Sequence, residues 1–365
     1  MLFMIGQRGS AQLHHQYGQQ WVSHLKQAGA FYLGPTQATK TVRCPPWRPD
    51  RLLTVREDGS VYSLENTCAH NGARFMEPRA EAMVSRGTLV CPWHSWTYDT
   101  TGQLLRTGAM NIPPDICPNR ALTARPVTVW QSLAFETAGD AADSLTRAFA
   151  LIEQTVPGIF DLSHYLYRTT QVEPHDSDAL MNIINYLDIA HLPNHRLTLG
   201  ALVQTRGYTH VANADGVIQM VPLHARWMTE TSDAAVYRYA RAYGESGLPV
   251  PDYGAVWVTL RSGIMLEWYP GVIVVSQCVP NETDPWKSVF YHDFFYHQDT
   301  DDAFQAAHQT VFADTGDEDH VWCRGATAYL KTRMAAGQGD LPWGCVDPVY
   351  ENYADWYYGV VDSVL

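Results

Sequence analysis

The feature that most limits what this chain can become is a spacing: Cys68-Ala69-His70, then twenty residues, then Cys91-Pro92-Trp93-His94. Each half is expected at a tight loop closing a short strand. Val61-Tyr62-Ser63-Leu64 leads into the first loop, Thr88-Leu89-Val90 leads into the second, and Trp96-Thr97-Tyr98 leaves it before a turn at Asp99 to Gly102. Two such loops each offer one thiolate and one imidazole, a donor set that suits zinc or an iron–sulfur cluster. Zinc sites of this composition usually pair Cys with Cys and His with His. Here each loop mixes the two, as a [2Fe–2S] centre requires when one iron takes both cysteines and the other both histidines.

A second constellation follows about a hundred residues on, in Asn185-Tyr186-Leu187-Asp188-Ile189-Ala190-His191-Leu192-Pro193-Asn194-His195. Ser177 or Asp178 is a good helix N-cap, and Leu180, Ile183, Ile184 and Leu187 recur at helical spacing. The reading therefore puts Asn185, Asp188 and His191 three apart on one helical face. Pro193 ends the regular helix, so that His195 turns back toward His191. Two converging imidazoles lack only one carboxylate to make a 2-His-1-carboxylate iron site. The acidic run Asp314-Thr315-Gly316-Asp317-Glu318-Asp319-His320 is read as the opening of the last long helix, continuing through Trp322 and Ala326 to Leu330. Most of its acids are explained by the positive end of the helix dipole.

Composition removes several classes of function. A net charge of −13 with only 25 scattered Lys and Arg residues argues against a nucleic-acid surface. Hydrophobic residues at 46% and charged residues at 17% describe a globular protein with ample core, and 365 residues suggest two packed units. Seven cysteines, an odd number spread from Cys44 to Cys345, are not a disulfide framework, so a reduced, cytoplasmic protein is expected. Neither a secretory leader nor a membrane span is read from the sequence.

The residues around the first motif, Asn71-Gly72-Ala73-Arg74 and Pro92 through Asp99, closely resemble the cluster loops of Rieske proteins. Respiratory members carry an extra cysteine in each loop and a membrane anchor, and both are missing from this reading. Where those members have a serine that hydrogen-bonds the cluster, this chain has Trp96 and keeps Tyr98 two residues on. Fewer donors imply a lower potential, which a redox titration checks. Over nearly its full length the chain is similar to the α subunits of the Rieske ring-hydroxylating and demethylating oxygenases.

That resemblance implies that Cys68, His70, Cys91 and His94 hold the cluster and that His191, His195 and Asp319 hold a mononuclear Fe(II). Asp188, with Asn185 beside it, would link the two centres across the interface of a head-to-tail homotrimer. It also implies an α+β fold: an N-terminal helical segment over residues 1–30 around Trp21 and Leu25, a β-rich Rieske domain over 31–140, and a helix-grip catalytic domain over 141–365. The sheet of that last domain is expected between Gly200 and about Tyr296, from stretches such as Ala255 to Leu260, Val272 to Val275 and Val289 to Tyr291. Three residues separate the two histidines where many members have four, and the Glu and Gln often found after the iron-binding aspartate are missing around Arg324 to Thr327. Asp317 and Glu318 therefore stay open as rivals of Asp319.

The implied activity is that of a terminal oxygenase that hydroxylates or oxidatively demethylates a small aromatic or methylammonium compound. The alternative is a Rieske electron carrier, which would explain only the first motif. With no G-x-G-x-x-G and no ferredoxin cysteine spacing, electrons must come from a separate NAD(P)H-dependent reductase, directly or through a ferredoxin. The stretch from Leu266 to Pro270 and on to Val279-Pro280 resembles α-only members of the choline and betaine type.

Overall fold

The computed structural model describes residues 29–37, 42–78, 81–82, 87–110, 112–113, 120–224, 227, 229–281 and 283–337. The segment expected to be helical around Trp21 and Leu25, as well as Cys117 and Cys345, lies outside these residues. The chain divides into two compact units, one over Gln27–Asp143 and one from Ser144 onward.

Short β-prone runs punctuated by glycine and proline make the first unit almost wholly strand. Its strands are β1 (Ala30–Pro35), β2 (Val42–Arg43), β3 (Arg51–Val55), β4 (Val61–Glu65), β5 (Glu81–Ala82), β6 (Thr88–Val90), β7 (Trp96–Asp99), β8 (Leu104–Thr107), β9 (Ala124–Arg125), β10 (Val127–Trp130) and β11 (Leu133–Thr137). They form three small antiparallel sheets, ordered β1-β11-β10, β5-β2-β3-β4-β9 and β6-β7-β8. One buried carboxylate ties two of them together. Glu136 of β11 accepts from Arg48 at 2.8 Å, from Arg51 at 2.9 Å and from the Ser63 hydroxyl at 2.5 Å. Satisfied by two guanidinium groups, it escapes the several kcal/mol that an isolated buried charge would cost.

The second unit opens with helix α1 (Ala141–Thr155) and strand β12 (Tyr165–His175), followed by α2 (Ala179–Leu187), the short α3 (Leu199–Leu202), β13 (Thr209–Ala212) and β14 (Gly216–Val221). Helix α4 (Ala235–Ser246), strands β15 (Ala255–Leu260), β16 (Ile264–Tyr269), β17 (Val272–Pro280) and β18 (Ser288–His297), and the long helix α5 (Asp302–Ala335) complete it. The seven strands make one antiparallel sheet in the order β12-β18-β17-β16-β15-β14-β13. Tyr239 and Tyr243 of α4 and Phe304 and Val311 of α5 pack with Trp257, Val274 and Phe294 of the sheet into one buried core. Among the described residues no helix is long and apolar enough to cross a membrane.

Three local expectations need correction. The sheet begins earlier than Gly200, with β12, and α4 falls inside the stretch expected to be sheet. The helix that Asp178 caps, by accepting from Leu180 and Met181 backbone N–H groups, ends at Leu187. Asp188 turns extended at ψ 113° as its C-cap, so Asn185 alone of the Asn185, Asp188 and His191 trio is helical. Finally, α5 starts twelve residues before Asp314, with the Asp301 side chain capping the Phe304 N–H at 2.8 Å. The acids at 314–319 therefore lie inside the helix, where the dipole at its first turn does not explain them.

Candidate metal centres

The two Cys-His loops fold as copies of each other. In the first, the Gly72 N–H donates to the Cys68 carbonyl at 3.0 Å; in the second, the Ser95 N–H donates to that of Cys91 at 3.0 Å. Both donors sit in the left-handed region, Gly72 at φ +77° and Ser95 at φ +57°. Gly108 lets a neighbouring turn lie against the second loop, since a Cβ there would come within 2.0 Å of the His94 carbonyl oxygen.

Both thiols are buried and free, at 2% exposure each. Burial pushes the Cys68 thiol up, while the Tyr98 hydroxyl at 3.4 Å offers its sulfur a hydrogen bond. The imidazoles of His70 and His94 face each other edge-on, 4.9 Å between ring centres, and His70 stacks on Trp96 at 4.5 Å. The Nδ1 of His70 is buried without a hydrogen-bond partner. Two buried thiols and an orphaned imidazole nitrogen fit a cluster better than they fit a self-contained core.

The second centre joins the segment after α2 to the middle of α5. His191 and His195 flank a 3₁₀ turn over Leu192–Asn194, and Pro193 at its start bends the chain so that the two rings lie 5.2 Å apart. Ligand atoms of His191, His195 and Asp319 all fall within 4.8 Å of one another. Asp319 Oδ1 stands 3.4 Å from His191 Nε2 and 3.2 Å from His195 Nε2. Yet His195 Nε2 and Asp319 Oδ1 are both buried with no properly aligned hydrogen bond. Buried polar atoms converging in this way leave a place for a cation.

Electrostatics agree. Burial works against charging His191, but Asp188 and Asp319 override it and carry the imidazole up to about 9. Asp319, which burial alone would raise, is held at about 2 by the two imidazoles.

Glu318 accounts for the direction of His195. Its carboxylate meets His195 Nδ1 at 2.5 Å and accepts from the Thr198 hydroxyl at 2.8 Å, leaving Nε2 turned toward Asp319. Asp317 is exposed. Asp188 Oδ2 lies 3.4 Å from His191 Nδ1, while its Oδ1 accepts from the Ala190 N–H at 2.7 Å. Asn185, in the last turn of α2, adds a smaller influence that keeps the Asp319 carboxylate low. Trp322, one turn beyond Glu318, walls both imidazoles at ring distances of 4.8 and 5.4 Å. Sequence reading missed the roles of Glu318, Thr198 and Trp322. Only the helical phase of Glu318 and Trp322, four apart, carried a hint of them.

Beside this centre lies a cavity of about 130 Å³, compact next to the roughly 300–1,000 Å³ of many ligand pockets. Every second residue along β16 faces it, Met265, Glu267 and Tyr269, joined by Ser276 from β17 and by Phe290 and His292 from β18.

A model of the Rieske [2Fe–2S] domain matches residues 35–114. The fold of the chain matches that of the quaternary ammonium Rieske monooxygenase CntA with a TM-score of 0.73 at 14% identity, covering 98% of this chain and 94% of that one. Residues 35–114 are thus a Rieske [2Fe–2S] domain, and the chain as a whole is similar in sequence and fold to the terminal components of Rieske non-haem iron oxygenases. Its relatives include the putrescine 2-hydroxylase of Ralstonia nicotianae, 28% identical over 323 residues, which are 85% of this chain and 82% of the relative. They also include the glycine betaine monooxygenase oxygenase subunit of Chromohalobacter salexigens, 40% identical over 58 residues, which are 16% of this chain and 12% of that protein.

Proposed function

We propose that this chain is the catalytic subunit of a cytoplasmic, homotrimeric monooxygenase or dioxygenase that hydroxylates or oxidatively demethylates a small organic molecule, aromatic or methylammonium. A separate NAD(P)H-dependent reductase, directly or through a ferredoxin, supplies its electrons. Cys68, His70, Cys91 and His94 hold the cluster; His191, His195 and Asp319 hold the iron. When bound, the iron supplies O₂ activation and the cluster supplies electrons one at a time. The names of the relatives, which act on putrescine and glycine betaine, favour the amine side of the substrate range.

The observation that carries the reading is the buried, unpartnered pair His195 Nε2 and Asp319 Oδ1 beside His191. Around it the residues of the chain do separate jobs. Glu318 accepts a hydrogen bond from the Nδ1–H of His195 and fixes which ring nitrogen faces the metal. Asp188 Oδ2 lies 3.4 Å from Nδ1 of His191, and we assign it the corresponding orienting role for that ring and the link to the cluster of the neighbouring subunit. Asn185 steadies Asp319.

Metal and acid-labile sulfide analysis tests the reading. The intact chain is expected to hold three irons and two sulfides. His191→Ala is expected to keep the cluster spectrum and two irons while losing the third iron and O₂-dependent product. Two irons in both proteins would leave an electron carrier; zinc without sulfide would leave a zinc-stabilised module.

A further inference from the structure

The described part of the chain buries five carboxylates, and four have an evident reason to be there. Glu136 and Asp215 are held by arginines, Asp178 caps α2, and Asp293 accepts from the Thr170 hydroxyl. Glu267 is different. It is 5% exposed in the middle of β16, in a run of fully buried apolar and aromatic residues, and it lines the cavity beside the metal site. Its partners are two neutral hydroxyls, Tyr269 at 2.8 Å and Ser276 at 3.4 Å. No Lys, Arg or His pairs with it among the described residues, and none of the described residues lining the cavity is a Lys or Arg.

A carboxylate in such a place is costly unless something positive completes it. Desolvation acts on Glu267 as the larger influence and the two hydroxyls partly offset it, leaving the group raised to about 7. The groups that face it from the surrounding elements add no cation. They are Tyr269 on its own strand, Trp257 across on β15, Ser276 on β17, Tyr186 from α2, and the negative Asp319 from α5. The second carboxylate on the sheet wall, Glu173, already has a partner in His175, 3.8 Å away, which holds it below the usual carboxylate range despite its burial. Aromatic faces of Trp257, Tyr186 and Tyr269 line the same space, an environment that tolerates an ammonium and its alkyl chain alike.

We propose that Glu267 receives the positively charged end of the substrate, so that the substrate class is a small aliphatic amine bound as its ammonium ion. This rests on the oxygenase reading above and narrows it: a neutral aromatic would leave Glu267 buried and unpaired beside it. The ammonium donates to the carboxylate in place of the water it sheds. Tyr269 and Ser276 keep their own hydrogen bonds to the carboxylate and hold it in place, and the compact cavity limits the substrate to a short chain.

The test uses the full-length protein loaded with cluster and Fe(II), kept free of oxygen, and titrated calorimetrically with butane-1,4-diamine and with the neutral butane-1,4-diol. The wild type is expected to prefer the diamine by at least roughly tenfold, the scale of one charge-assisted hydrogen bond made in a desolvated site. Glu267→Gln is expected to lose that preference while its affinity for the diol stays the same, and Glu173→Gln is expected to retain it. Should Glu267→Gln fail to load its cluster, Glu267→Asp keeps the charge on a shorter arm and is expected to bind the diamine several-fold more weakly with the preference intact. A wild type that binds both compounds equally, a preference that persists in Glu267→Gln, or a loss of preference in Glu173→Gln instead would each overturn the assignment. Because binding is read without turnover, failure of the oxygenase reading would show separately, as no O₂ uptake with any compound in the presence of reductant.

Discussion

Three consecutive acids, Asp317, Glu318 and Asp319, compete on paper for one iron, and a rotation of about 100° per helical residue is what separates them. Asp317 points to solvent, Glu318 reaches the outer nitrogen of His195, and Asp319 turns to both inner nitrogens. Glu318→Gln therefore has a defined expectation. It keeps the shape and one acceptor but loses the charge that favours the required tautomer, so Fe(II) affinity is expected to fall about 10- to 100-fold with the cluster spectrum unchanged. Iron titration of the reconstituted variant measures this, and unaltered affinity would remove Glu318 from the site. The pairing of the two histidines was legible in the sequence; the different placement of the three acids was not, because it depends on the phase of a helix whose start was expected twelve residues later than it falls.

That misplacement shows how elements are decided. Gly316 lies inside α5 and the helix runs through it, because Phe304, Ala307 and Val311 upstream are buried in the core against the sheet. Packing of an apolar face outweighs the roughly 1 kcal/mol cost of one interior glycine. The same face buries His308 at 3% exposure, with only the Tyr296 hydroxyl, at 3.0 Å, hydrogen-bonded to its ring. Burial pushes its pKa from 6.5 down to about 3. The folded state thus binds fewer protons than the unfolded one between those values. The stability this group contributes is complete above pH 6.5 and drains away as pH falls toward 3. His308→Gln removes that drain: between pH 7 and pH 5 the variant is expected to gain about 2 kcal/mol relative to the wild type, read from paired denaturant unfolding curves. Parallel losses in the two proteins would show that His308 already shares its proton in the fold. Glu267 and Asp178, raised to about 7, act in the opposite sense, losing their contribution as pH rises from about 4 through 7. The comparison of one variant with the wild type isolates the histidine from them.

For the whole molecule, the proposed head-to-tail trimer makes each active centre the joint property of two subunits. Cys91→Ser, lacking the cluster, and His191→Ala, lacking the mononuclear iron, are each expected to be inactive alone. Refolded or co-expressed together in equal amounts, random trimers would contain a productive junction at about one quarter of positions. Turnover of about that share of the wild type is expected, and no recovery in demonstrably mixed trimers would refute electron transfer between subunits. The sequence alone pointed to the proposed cluster ligands, the two histidines, most of the strands and the oxygenase class. Those rest on chemistry at short spacing, where a motif such as Cys-x-His or Cys-x₂-His carries its own geometry. Only tertiary structure brings Asp319, rather than its neighbours, beside both imidazoles, sets Glu318 against His195, and buries Glu267 in the cavity wall. These depend on strands and helices far apart in sequence meeting at one point, and on burial, which turns an ordinary glutamate in an alternating strand into a group that needs a partner.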